Sequence, residues 1–114
     1  MAKLPEETVN KAFSLQRRLW ETIDEVTAVA WVILEEYGET EISLSALGEV
    51  DNSRERLNSS LSRLYTLMLR VAESQPMADS ATLNLLAATI ESSEGTIAAV
   101  EASLQEAKRN LNLP

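Results

Sequence analysis

Almost nothing in this chain interrupts a helix. Three prolines (Pro5, Pro76, Pro114) and three glycines (Gly38, Gly48, Gly95) are all the punctuation that 114 residues contain. Between those marks the apolar residues recur at alternating steps of three and four, the spacing of one helix face. A chain so patterned is predicted to be all-α: one domain over residues 1–114, built as an antiparallel up-down-up bundle of three helices. At this length roughly two-thirds of the unfolded surface is buried on folding, enough for a core without covalent staples.

The first helix is predicted over about 5–37. Pro5 suits a first turn, because its missing amide would be unpaired there anyway, and Glu6 and Glu7 complement the positive end of the helix dipole. Its seam reads Val9, Ala12, Gln16, Leu19, Ile23, Val26, Ala30, Ile33 and Tyr37, broadened by Phe13, Trp20, Thr27 and Leu34. Gly38 is placed to end it in the left-handed conformation. The second helix, about 53–75, opens at the cap candidates Asp51, Asn52 and Ser53 and carries the seam Leu57, Leu61, Leu64, Met68 and Val71. Pro76 limits it, since the residue before a proline resists helical geometry.

The third helix, about 78–110, starts from Asp79 or Ser80. Its seam is Leu83, Leu86, Ile90, Ser93, Ile97, Val100, Leu104, Ala107 and Leu111. Lys108 and Arg109 complement the dipole in its last turn. Residues 39–52, with Ile42, Leu44 and Leu47 among serines and glutamates, read as a short helical or extended strap over one end of the bundle.

Composition excludes several kinds of chemistry. With no cysteine and no histidine, one chain offers no disulfide, no thiolate or imidazole metal ligand and no His-based triad. A net charge of −8 disfavours a nucleic-acid backbone or an anionic membrane as partner. The longest uncharged apolar run, Val26 to Leu34, falls far short of the ~20 residues that span a bilayer. No basic-then-apolar leader opens the sequence, which makes the cytoplasm the expected compartment. The asparagine of Asn58-Ser59-Ser60 fits a glycosylation pattern but falls inside a predicted helix. The glycines lie too far apart for a phosphate-binding loop.

What remains to suggest a function is the distribution of apolar residues outside the seams. A helix of a lone bundle should be charged on its outer side. Yet Val26 to Leu34 is apolar all round, with Val29, Trp31 and Val32 outside the seam. In the third helix Ala81, Ala88, Gly95 and Ala102 recur every seven residues on the outer side, with Leu85, Ser92 and Ala99 beside them. The candidate contact residues are therefore Val29, Trp31, Val32, Leu85, Ala88, Gly95 and Ala99, with Trp31 as the expected anchor. The expected role is a non-catalytic interaction protein that buries the outer faces of helices 1 and 3, in a homo-oligomer (a dimer first) or on another protein. No cofactor and no small-molecule substrate is expected. The competing possibility is that supercoil drift turns these residues into the bundle's own core.

An enzymatic alternative rests on two carboxylate pairs at i,i+3 spacing, Glu21 with Asp24 and Glu91 with Glu94. On facing helices they could hold Mg²⁺ or Mn²⁺ for a small hydrolase. Glu21-x-x-Asp24 resembles one motif of the all-helical nucleotide pyrophosphatases. The acidic cluster those enzymes carry on a preceding helix has no counterpart here. Arg56, Arg63 and Arg70, at sevenfold spacing beside the second seam, are expected to pair with glutamates such as Glu94 and Glu101 on the neighbouring helix.

Overall fold

The structure is a computed structural model describing residues 2–113, and it contains three helices. These are α1 (Glu6–Tyr37), α2 (Glu41–Glu73) and α3 (Ser80–Asn110). Each packs on the other two, in up-down-up order, to form a rod of 56 × 19 × 17 Å. No strand occurs among the described residues. The predicted all-α three-helix bundle is the observed architecture.

The buried residues follow a heptad in every helix. In α1 they are Ala12, Leu15, Leu19, Thr22, Val26, Val29 and Ile33. In α2 they run from Ser43 and Val50 through Ser53, Leu57, Ser60, Leu64 and Leu67 to Val71, with Met68 beside them. In α3, Leu86, Ile90, Ser93, Ile97, Val100 and Leu104 form the line, flanked by Thr82 and Thr89. A repeat of 3.5 residues kept over thirty-odd residues (32, 33 and 31) is the signature of left-handed supercoiling, in which one seam stays turned to the partners. The α1 seam thus differs at alternate positions from the one the spacing suggested. Leu15, Thr22 and Val29 face the core, whereas Gln16, Ile23 and Ala30 are half-buried at its edge and Tyr37 is exposed.

Residues 39–52 are not a strap. From Glu41 onward they are the first third of α2, so that helix is as long as its neighbours. Its start is a capping box one turn after Gly38. The Thr40 hydroxyl accepts from the Ser43 amide at 3.2 Å, and the Ser43 hydroxyl accepts from the Thr40 amide at 2.8 Å. The buried Ser43 hydroxyl donates to the Gly38 carbonyl at 2.6 Å, binding the turn to the helix it precedes. Gly38 ends α1 at φ 58° and ψ −152°, a positive-φ conformation that favours glycine but is extended in ψ, not the left-handed helical one expected of it. Gly48 lies inside α2 on the exposed side, where no packing depends on it.

Asp79 caps α3, its carboxylate accepting from the Thr82 amide at 2.7 Å. The two ion pairs between α1 and α3 are Lys11–Glu94 at 3.7 Å and Glu25–Lys108 at 3.9 Å. They step two heptads along both helices in the same direction, as parallel neighbours require. Glu94 is therefore paired to α1, not to the α2 arginines expected for it. Arg56, Arg63 and Arg70 are exposed and appear in none of the ion pairs among the described residues. At the far end the Tyr37 hydroxyl donates to the Leu111 carbonyl, joining α1 to the close of α3.

Candidate interaction surface

The core of this bundle holds no aromatic ring. Its residues are aliphatic, with serines and threonines (Ser43, Ser53, Ser60, Ser93, Thr22, Thr82, Thr89) at seam or seam-edge positions, and among the described residues no fully buried polar side-chain atom lacks a hydrogen-bond partner. Thr22, for example, donates to the Arg18 carbonyl at 2.7 Å. Such small residues bring the helices close but leave no space for a ring. All five aromatic residues of the chain are accordingly exposed: Phe13 (54%), Trp20 (60%), Trp31 (64%), Tyr37 (38%) and Tyr65 (58%). Aromatic side chains usually supply much of a domain's buried area, and where they are exposed they are the commonest anchors of protein contacts.

Three of the five gather on one side of the rod. Trp20 and Gln16 of α1 line a shallow groove with Asn58, Leu61, Ser62 and Tyr65 of α2. The heptad extends this face along the rod. Phe13, Trp20, Thr27 and Leu34 occupy successive equivalent positions in α1, and Leu44, Asp51, Asn58 and Tyr65 do so in α2. Leu34 and Leu44 are 42% and 57% exposed, and they close the acidic end of the face as Phe13 and Tyr65 close the other. Behind these lie the half-buried Ile23, Ala30, Leu47 and Leu61, which pack on the core. The two helices thus present an aromatic patch around Phe13, Trp20 and Tyr65 and an aliphatic one at Leu34 and Leu44, separated by Thr27 and the Asp51–Arg54 ion pair.

The residues singled out from the sequence are distributed differently. Val29 is in the core at 6% exposure, because its position in the α1 heptad is an inward one. This corrects its assignment to an outer face. Val32 is half-buried, and Trp31 stands on the outward ridge of α1. Leu85, Ala88, Gly95 and Ala99 are exposed along the outer side of α3, and a Cβ built on Gly95 would meet nothing within 4 Å. Trp31 and the α3 strip belong to different ridges, so they form no common surface. The face that does form one, across α1 and α2, was signalled by Phe13, Trp20, Leu44 and Tyr65. The rings on α1 read from sequence as a widening of its core stripe, and Leu44 as part of a strap.

The carboxylate pairs are likewise dispersed. Glu21 pairs with Arg17 within α1 at 3.5 Å, and Glu94 pairs with Lys11. Among the described residues no three acidic side chains converge as a metal-binding group. A cleft of about 720 Å³ lies between the start of α2 and the end of α3 and is lined by Glu41, Glu49 and Glu106 together with Ile42, Ser45 and Asn110. It is wide and open, with no reactive side chain beyond those carboxylates. The Asp79 carboxylate is held below its ordinary range. The hydrogen bonds from Thr82 are the main cause, and the nearby Arg70 adds to them. Its role is to cap a helix. Among the described residues no helix is long and apolar enough to cross a membrane. No protein-family model, curated protein or solved structure matches the chain.

Proposed function

We propose that this chain is a non-catalytic interaction protein whose working surface is the α1–α2 face. The observation that carries the reading is the exclusion of every aromatic residue from the core, with Phe13, Trp20 and Tyr65 collected on one side. Exposed clusters of large apolar side chains mark contact sites, and interface centres are enriched in Trp, Tyr and Phe. The mechanism is burial of that face, while the charges around it set the orientation of whatever covers it.

The face replaces the outer sides of α1 and α3 as the preferred contact, and Trp20 replaces Trp31 as the anchor. A sizing experiment in extract of the native host tests the reading. The tagged full chain is expected to elute well above its 12.6 kDa mass, and a Trp20→Glu variant of unchanged helicity is expected to elute at that mass. A wild-type chain that runs as a monomer in the extract would remove the basis for the proposal.

A further inference from the structure

Resting on that reading, we infer that the occupant of the α1–α2 face is a second copy of this chain, laid antiparallel across it. Size is the first argument. The rod is 56 Å long and 19 Å wide, so one face offers a footprint of about 1,000 Å², above the ~800 Å² per partner of a standard stable interface. The aromatic and aliphatic patches stand toward opposite ends of that face, and a copy of the same length covers both.

Charge sets the direction. A cut through the midpoints of the helices places residues 1–21 and 57–95 in one half of the rod, with six cations against seven carboxylates. The other half has eleven carboxylates against four cations. Along α2 the contrast is sharper still. Residues 57–72 contain Arg63 and Arg70 and no carboxylate, whereas 41–56 contain four carboxylates against two arginines, Arg54 and Arg56. Parallel copies would set one acidic half upon another, which is repulsive at these separations. Antiparallel copies set each acidic half against the near-neutral half.

The apolar groups fit the same arrangement. Trp20 lies close to the middle of α1, so a two-fold axis beside it brings the two Trp20 rings together at the centre of the contact. Phe13 and Tyr65 then lie one heptad to one side of the axis, over Thr27 and Asp51 of the other copy. Such an isologous contact is self-complementary and closes at two subunits.

Light scattering on the purified full chain across a wide concentration range tests the stoichiometry, and a distance measurement tests the direction. The expected mass is twice 12.6 kDa, falling to the monomer in Trp20→Glu and, independently, in Tyr65→Glu, both checked for native helicity. Because the chain has no cysteine, a nitroxide on Ala72→Cys reports one distance between copies. That distance is expected to be about 40 Å in the antiparallel pair, from the helical rise, against roughly 20 Å or less for parallel copies one rod-width apart.

A dimer with the short distance, or a dimer that survives both substitutions, overturns the inference. A purified chain that stays monomeric at every concentration also overturns it. If the extract then still holds a heavy species that Trp20→Glu abolishes, the face serves a different protein and the functional reading survives. If the extract holds none, both fall.

Discussion

Thr40 and Asp79 begin two helices with the same chemistry, a side-chain oxygen placed to accept an amide three residues on. They differ in how they respond to acid. The Asp79 carboxylate is held below the ordinary aspartate value by its bonds from Thr82 and by Arg70. A carboxylate lowered in the folded state stabilises the fold above its unfolded pKa, and loses that contribution as pH falls through the lowered folded value. Asp79→Asn keeps a capping oxygen but cannot titrate. The difference in melting temperature between wild type and this variant should be constant at neutral and mildly acid pH. It should move against the wild type only below the ordinary aspartate range. A difference that is the same at every pH would show that the charge of Asp79 contributes nothing. Thr40 has no such dependence, and Thr40→Ala should cost about 1 kcal/mol at any pH.

At the level of whole helices, the two internal glycines separate what was legible in the sequence from what was not. Gly48, followed by Asp51, Asn52 and Ser53, resembles a break and a new start, which is why the sequence alone suggests a strap where α2 begins. The fold overrides the local signal. Ser43, Val50, Ser53 and Leu57 continue one inward line, and packing on both neighbours holds the segment helical through an exposed glycine. Neither Gly48 nor Gly95 has any atom within 4 Å of where a Cβ would stand. Gly48→Ala and Gly95→Ala should therefore each stabilise the fold by about 0.5–1 kcal/mol in denaturant unfolding. A loss of stability at Gly95 would instead mean that the small-residue side of α3 receives a close neighbour.

The helix count, the cap at Asp79, the stop at Gly38 and most of the α3 seam were readable, because each rests on local chemistry or a single apolar stripe. The α1 seam was not. There apolar residues fill the inward positions, the edge positions and the next ones out, so two registers fit the same sequence. Only packing against α2 and α3 together turns Leu15, Thr22 and Val29 inward and leaves Phe13 and Trp20 outside. The error over Val29 and the omission of Trp20 from the candidate surface have this one cause.

Taken whole, the molecule is a thin rod whose core is filled by aliphatic and small hydroxyl side chains and whose rings are all on its surface. The exposed ion pairs, such as Lys11–Glu94, add little to stability in water and serve chiefly to set the register of α1 on α3. Function on this account lies in the side of the rod where the rings collect. The chain's two tryptophans make that claim directly measurable, since Trp20 lies on the proposed contact face and Trp31 on the adjoining ridge, with nearly equal exposure in the single chain. The measurement is acrylamide quenching of the one tryptophan left in Trp31→Phe and in Trp20→Phe, from dilute to concentrated protein. The account predicts that Trp20 becomes shielded as concentration rises while Trp31 stays as accessible as before. Equal accessibility of Trp20 at every concentration, or shielding of Trp31 in its place, would contradict it.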